Sequence, residues 1–270
     1  MSYLALNTAA TGLNALSFNL DVVANNLANV NTVGFKKSRA NFEDIYYVQL
    51  AQPNLPRDNT TSYPTGLAVG LGVKVSGTQL DMRQGPAEQT GAPLDMMIEG
   101  DGFFILDTPD SIGGGVGYTR AGNFTTNADG ELVLANSAGY RLAEPNITIP
   151  EDATQVTIGQ DGTVSVLLTG ATEPEEIGQI QLAKFINPAG LMQVGNNVFV
   201  QSAASGDPLI GNPTEDGRGS IMQGFLEQSN TEPVTELVSL IRTQRAFEMN
   251  SQVIQATNET LQQVNNLRRF

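Results

Sequence analysis

Apolar residues recur at alternating steps of three and four near both ends of the chain. In the first segment they are Leu6, Ala9, Leu13, Leu16, Leu20, Val23, Leu27 and Val30. In the last segment they recur every seven residues, at Leu240, Phe247, Ile254 and Leu261. This heptad spacing is typical of a helix that lies along another helix. The pattern therefore predicts one long helix within residues 1–40 and another within residues 225–270.

Two arrangements of these helices are compatible with the pattern. Either each helix packs on the body of the protein, or the two pair as a coiled-coil-like layer. The outer faces consist of Asn, Gln, Ser and Thr rather than Lys and Glu. Such faces favour the layer and its use in polymerisation, because charges are costly to bury among identical neighbours. Periodicity does not decide whether the seams meet within one chain or between chains.

The middle of the chain has the turn residues and short apolar runs of a β structure. All 13 prolines lie between Pro53 and Pro233. Runs such as "FFIL", "TVSVLL" and "NVFV" are bounded by turn residues throughout residues 76–224. The pairs at 129–130 and 161–162 are both Asp-Gly, which suits hairpin turns because glycine accepts positive φ. The predicted fold is α+β: two terminal helices, an irregular extended connecting segment at 41–75 and a mostly antiparallel β domain at 76–224.

Composition and charge narrow the classes of function. The 270 residues include no Cys, His or Trp, and the formal net charge is −14. Without His, the commonest general base and metal ligand are missing, and without Cys there is no thiol nucleophile or thiolate metal site. The sequence therefore predicts no catalytic, cofactor-binding or metal site. Residues 41–224 hold 22 acidic and 7 basic residues, which argues against nucleic acid or anionic lipid as the main partner. No 18-residue apolar window and no signal-peptide pattern is present, so neither membrane insertion nor signal cleavage is expected.

The stretch "ANNLANVNTVGFKK", residues 24–37, concentrates asparagine where the first helix should end. Asparagine competes with helical hydrogen bonds and suits helix ends and turns. We expect the helix to stop near Val30, with Gly34 in the left-handed conformation that closes it and Lys36 and Lys37 at its negative end. Before the second helix, Ser229 or Asn230 is expected to act as the N-cap.

Several stretches of the sequence resemble the signature motifs of bacterial flagellar axial proteins, the subunits of the rod and hook. The resemblance extends along the whole chain, through "LDVVANNLANVNTVGFKKSRANFED", "IEGDGFFIL", "YTRAGNFTTNADGELV" and "GFLEQSNTEPVTEL". Signature positions present here are Asn25, Asn26, Asn29, Asn31, Thr32, Gly34, Phe35, Ser229, Asn230, Gln244 and Arg245. One departure is Thr231, where the family usually has Val.

The resemblance implies a structural, non-enzymatic role. Within the family, the chain is most similar to subunits of the distal rod, both in its length and in the sequence of residues 41–75. Such a subunit would polymerise through its terminal helices into a straight hollow shaft in the periplasm, part of the basal body, which transmits torque and conducts exported subunits. Implied partners are further copies of the chain, the proximal rod and hook proteins, the surrounding ring proteins and the flagellar export apparatus.

Other functions remain open at the level of sequence. One is a hook or proximal rod subunit, which differs in the shape of the polymer that it forms. Others are a secreted β-rich polysaccharide-active enzyme, which would need facing carboxylates in a groove, and a monomeric adhesin.

Overall fold

The computed structural model describes residues 2–51, 56–58, 61–62, 65–143, 147–171 and 173–267. The chain divides into two compact units, each made of segments that are distant in sequence. The first unit comprises Met1–Leu27, Ser38–Gln79 and Pro233–Phe270, and the second comprises Ala28–Lys37 and Leu80–Glu232. Among the residues described, neither helix is both long and apolar enough to cross a membrane.

Two long helices, α1 (Ser2–Ala28) and α2 (Pro233–Leu267), pack together in the first unit. Their contacts pair positions in reverse order, so the helices are antiparallel: Asn19 meets Thr243, and Ala9 meets Asn250. The sequence prediction of two terminal helices that pack on each other is confirmed. The contact lies within one chain.

The first unit also contains paired strands, in place of the irregular segment that the sequence predicted at 41–75. They are β1 (Ser38–Asp44), β2 (Tyr47–Ala51), β3 (Pro56–Asp58), β4 (Thr61–Ser62), β5 (Leu67–Gly70) and β6 (Val73–Leu80), with Leu80 already in the second unit. Strand β1 pairs with β6, β2 with β5 and β3 with β4. Proline and glycine between these strands obscured their alternation in the sequence.

The second unit is the predicted antiparallel β domain, and all of its described strand pairs are antiparallel. Its strands are β7 (Ala87–Gln89), β8 (Met96–Glu99), β9 (Phe103–Asp107), β10 (Val116–Thr119), β11 (Phe124–Thr126), β12 (Leu132–Leu134), β13 (Arg141–Leu142), β14 (Ala153–Ile158), β15 (Thr163–Leu168), β16 (Glu175–Gln179), β17 (Leu182–Lys184), β18 (Met192–Gly195), β19 (Val198–Val200), β20 (Leu209–Gly211), β21 (Ser220–Gln223) and β22 (Phe225–Glu227). Both Asp-Gly hairpins form, β11–β12 and β14–β15, with Gly130 and Gly162 at positive φ.

Strand β9 is the centre of the second unit. It pairs with β10 along one edge and with β13 and β17 along the other. Successive side chains of a strand point to opposite faces, and both faces of β9 are covered. Phe104 and Leu106 enter the larger core cluster, whereas Phe103 and Ile105 enter the smaller one. The run "FFIL" is continuously apolar because neither face of this strand is exposed to water.

Candidate functional site

The contact between α1 and α2 is made by small and polar residues. Asn19 Nδ2 donates to Thr243 Oγ1 at 2.9 Å, and Asn250 Nδ2 donates to the carbonyl oxygen of Ala9 at 3.1 Å. A Cβ atom at Gly12 would lie 2.5 Å from Asn250 Nδ2, so the glycine permits this close approach. At these two contacts, amide groups of one helix are satisfied by a hydroxyl or a backbone carbonyl of the other.

The predicted seam residues flank this polar contact and are only partly covered within one chain. Val23 is buried, whereas the other members are half-buried: Leu6, Leu13, Leu16, Leu20, Leu27, Leu240, Phe247, Ile254 and Leu261. Leu240, Phe247, Ile254 and Leu261 share one side of α2 with Thr243 and Asn250, as their spacing of three and four requires. Their use in polymerisation stays a prediction.

The opposite side of α2 bears a second apolar stripe, which the sequence analysis did not identify. We call it the outer stripe; its exposed members are Val234, Leu237, Val238, Ile241, Met249 and Val253. Ile241 is 48% exposed and Val253 49% exposed. Arg242, Arg245 and Glu248 separate the first four members from Met249 and Val253. Exposed apolar residues grouped on one side of a helix mark interaction sites more often than isolated ones do.

Asn26, at the end of α1, forms a two-way pair with the first residue of β1. Its Oδ1 accepts from the Ser38 N–H at 2.9 Å, and its Nδ2 donates to the Ser38 carbonyl at 2.8 Å. The same Nδ2 lies 3.4 Å from Oε2 of Glu236 on α2. The buried carboxamide of Asn26 therefore replaces a strand partner for Ser38, which explains one signature asparagine.

The other signature asparagines occupy different environments. Asn29 Oδ1 accepts from the Thr32 hydroxyl at 3.1 Å, in the turn that follows α1. Asn25 and Asn31 are exposed.

Gly34 does adopt a left-handed conformation, with φ of +67°, but it does not close the helix as predicted. Helix α1 ends at Ala28, and the Phe35 N–H bonds to the Thr32 carbonyl at 3.2 Å, which makes Gly34 part of a separate turn. The Gly34 N–H donates to the Glu227 carbonyl at 2.7 Å. A Cβ atom at Gly34 would lie 2.5 Å from the Ala121 nitrogen. The glycine is thus required where residues 28–37 pass close to the backbone of Arg120 and Ala121, between β10 and β11.

Lys36 is not at the helix end either; it lies in a buried ion cluster of the second unit. Its Nζ is 2.6 Å from Glu227 Oε1, and Arg120 Nη1 is 3.4 Å from Glu227 Oε2. Relative exposures are 1% for Lys36, 0% for Glu227 and 5% for Arg120. Lys36 Nζ also donates to the Arg83 carbonyl at 2.7 Å.

Two buried cations share one buried carboxylate, that of Glu227, and Asp81 and Asp101 add smaller attractions to Lys36 and Arg120, respectively. Burial lowers the pKa of Lys36 below its ordinary value of 10.5, and Arg120 lowers it further, whereas Glu227 opposes the shift. Burial likewise lowers the pKa of Arg120. Carbonyl oxygens of Ile98 and Gly100 accept from Arg120 and partly compensate the excess charge.

Neither predicted N-cap residue caps α2, which begins at Pro233. Ser229 is buried and its Oγ accepts from the Thr231 N–H at 3.2 Å, while Asn230 bonds to other segments of the second unit. Thr231, the departure from the family pattern, has a buried hydroxyl without a hydrogen-bond partner among the described residues. An unsatisfied buried hydroxyl costs about 1–3 kcal/mol of stability.

Gln244 and Arg245 lie on the exposed surface of α2. The structure also identifies residues that sequence reasoning missed, chiefly Arg120 and the role of Glu227. The only signal for them in the sequence was a position inside a motif. Nothing in the spacing reveals that Glu227 meets Arg120, 107 residues before it, and Lys36, 191 residues before it. Within the described ranges, no group of His, Cys, Asp and Glu side chains could hold a metal ion.

Three family descriptions match separate parts of the chain. "Flagella basal body rod protein" matches residues 6–36, "Flagellar hook protein FlgE/F/G D1 domain" matches residues 97–166, and "Flagellar basal body rod FlgEFG protein C-terminal" matches residues 222–267. The first and last contain α1 with the asparagine-rich stretch and α2 with its lead-in. The middle match contains the β9 region of the second unit.

Several characterised relatives are similar over nearly their whole length. The flagellar basal-body rod protein FlgG of Caulobacter vibrioides is 43% identical over 98% of this chain and 99% of that protein. FlgG of Borreliella burgdorferi is 44% identical over 98% of both chains. The flagellar basal-body rod protein FlgF of Caulobacter vibrioides is 35% identical over 89% of this chain and 87% of that protein. The chain belongs to the flagellar basal-body rod protein family, and within it to the FlgG group of distal rod proteins.

Proposed function

We propose that this chain is a structural subunit of the flagellar distal rod that polymerises through its terminal helices. The helices of neighbouring copies form a coiled-coil-like inner layer, and the product is a straight hollow shaft. The shaft transmits torque and conducts exported subunits. The identity to FlgG, 43% against 35% to FlgF of the same organism, supports the distal rod over another rod position.

The outer stripe of α2 is the observation that supports polymerisation most directly. One face of α2 is used within the chain, against α1 through Thr243 and Asn250. The opposite face leaves Val238, Ile241 and Val253 exposed to water. Burying a side chain of this size contributes roughly 1.5–3 kcal/mol, so a repeated contact along the stripe would stabilise a polymer.

The partners and the location follow from this function. The subunit contacts further copies of itself, the proximal rod, the hook and the surrounding ring proteins. It lies in the basal body, in the part of the rod that crosses the periplasm. It reaches this place through the flagellar export apparatus.

Substitution of Ile241 tests the role of the outer stripe. Ile241→Asn should reduce the number of shafts at least tenfold in cells whose own copy is replaced, because a polar amide would be buried at each contact. The matched control is Ile186→Asn in the second unit, since Ile186 is 82% exposed and lies outside the helices. Shafts are counted by electron microscopy of purified basal bodies, and circular dichroism verifies unchanged helix content. Normal shafts with Ile241→Asn would exclude the outer stripe as the polymer contact.

A further inference from the structure

The chain passes between the two units at four places, after residues 27, 37, 79 and 232. In the second unit, the residues beside three of these passages are Lys37, Asp81 and Asn230. Their arrangement is not explained by the polymer contact proposed above.

Lys37, Asp81 and Asn230 form a closed ring of hydrogen bonds, which we call the junction ring. The Lys37 N–H donates to Asn230 Oδ1 at 2.9 Å, and Asn230 Nδ2 donates to the Asp81 carbonyl at 2.7 Å. The Asp81 N–H donates to the Lys37 carbonyl at 2.9 Å and completes the ring. Three segments that are separated by 44 to 193 residues in the sequence are thereby joined beside the points where they leave the second unit.

Only a carboxamide at position 230 suits this ring. Its oxygen must accept from a backbone N–H while its nitrogen donates to a carbonyl, and Asn230 Nδ2 also reaches the Arg83 carbonyl at 3.1 Å. A carboxylate or an aliphatic side chain lacks the donor, and a hydroxyl group has a single hydrogen and cannot donate to both carbonyls.

The ion cluster ties the same three segments a second time. Lys36 precedes Lys37, Glu227 lies three residues before Asn230, and Arg83 lies two residues after Asp81. Lys36 Nζ bonds to both the Glu227 carboxylate and the Arg83 carbonyl. The ring is therefore supported by a buried, charge-assisted network.

The first unit also contains an asparagine, Asn26, close to the points where the chain crosses between the units. Asn26 pairs in both directions with Ser38, the residue that follows the passage after 37. Its Nδ2 also lies near Glu236, the fourth residue after the passage at 232. Each unit thus uses one carboxamide to join the segments that enter it.

We propose that Asn230, with Asn26 as its counterpart, is a positioning residue for polymerisation. Asn230 holds the segment after α1, the segment after β6 and the segment before α2 at fixed spacing in the free subunit. The points from which the helical segments depart are then set before a subunit joins the shaft. This inference rests on the proposed function and specifies how the subunit is prepared for it.

The test uses Asn230→Asp in the full chain. This variant keeps the shape and the acceptor for the Lys37 N–H, but loses the donor to the Asp81 and Arg83 carbonyls and sets a charge against them. The matched control is Asn136→Asp, an exposed turn residue of the same unit whose Nδ2 donates to the Asn196 carbonyl at 3.1 Å. A second control, Val166→Ala, lowers the stability of the second unit by removing buried methyl groups far in sequence from the ring.

We expect the backbone amides of Lys37 and Asp81 to exchange at least tenfold faster in Asn230→Asp than in the wild-type chain or Asn136→Asp. We expect shafts to be at least tenfold fewer with Asn230→Asp, at a temperature where near-ultraviolet circular dichroism shows every variant folded. Val166→Ala should assemble normally. Normal assembly of Asn230→Asp, or equal failure of Val166→Ala, would overturn the positioning role. If the wild-type copy itself formed no shafts, the proposed function would fail instead.

Discussion

Glu227 lies between two cations, Lys36 and Arg120, and all three side chains are buried. Removing the carboxylate of Glu227 should therefore lower the free energy of unfolding more than removing one cation does. We expect Glu227→Gln to lower the free energy of unfolding by about 3–5 kcal/mol, because it leaves two unpaired buried cations. Lys36→Met should cost only about 1–2 kcal/mol, since Arg120 still balances Glu227 and mainly hydrogen bonds are lost. Urea unfolding of the full chain followed by near-ultraviolet circular dichroism measures both. An equal loss for the two variants would contradict this charge balance.

The same cluster makes the free energy of unfolding depend on pH, and urea unfolding repeated at several pH values measures this dependence. Because the pKa of Lys36 is lowered in the folded chain, the unfolded chain binds more protons between that lowered pKa and 10.5. The free energy of unfolding should then rise with pH in this window, and Lys36→Met should remove that part of the rise. The groups facing Lys36 are Glu227, Arg120 and Asp81.

Single residues were predictable where local conformation decides their role. Positive φ at Gly34, Gly130 and Gly162 followed from residue type, because only glycine adopts it without strain. The partners of Lys36 and Asn230 were not predictable, since they come from segments that only the tertiary fold brings together. The sequence analysis placed Lys36 at the end of the first helix and Asn230 at the N-cap of the second, and both predictions were wrong for that reason.

At the scale of elements, the hairpin β2–β5 projects exposed aromatic and aliphatic residues from the first unit. Tyr46 is 87% exposed, and Tyr47, Leu50 and Leu67 are exposed as well. We propose that this hairpin wedges between neighbouring subunits and stiffens the shaft. Its base is well defined, because the Ile45 N–H bonds to the Gly72 carbonyl at 2.9 Å.

Excision of residues 46–71 tests the stiffening role. Ile45 and Gly72 would be joined by a two-residue Asn-Gly turn, which suits closely spaced antiparallel strands. We expect polymers to form but to be curved or flexible in electron micrographs. The control replaces residues 46–71 with a Gly-Ser segment of equal length, which restores length without strands and should also give curved polymers. Straight polymers from either variant would contradict the wedge.

The helices were predictable as elements because their heptad spacing continues over many turns. Their ends were less predictable. Helix α1 stops at Ala28, two residues before Val30, and α2 starts at Pro233, beyond the N-cap expected at Ser229 or Asn230. Strands in 76–224 were recognised from β-rich runs between turns, whereas β1, β2, β5 and β6 were not. Proline and glycine within and between these strands obscured their pattern in the sequence.

For the whole molecule, the distribution of polarity agrees with the proposed assembly. The terminal segments are nearly neutral, whereas residues 41–224 hold most of the acidic excess. Nearly neutral helices can pack among copies of themselves without desolvating many charges, and an acidic β domain suits contact with water. This division was readable from sequence, but the outer stripe on α2 required knowledge of which face α1 covers.

The most direct test of the account is electron microscopy of basal bodies from cells that lack only this protein, compared with wild-type preparations. The account predicts a shaft truncated below the position of the hook, with no hook and no filament. Re-expression of the chain should restore all three. Complete flagella in the deletion strain would contradict the proposed function, and a complete straight shaft that lacks only its hook would assign the protein to the hook instead.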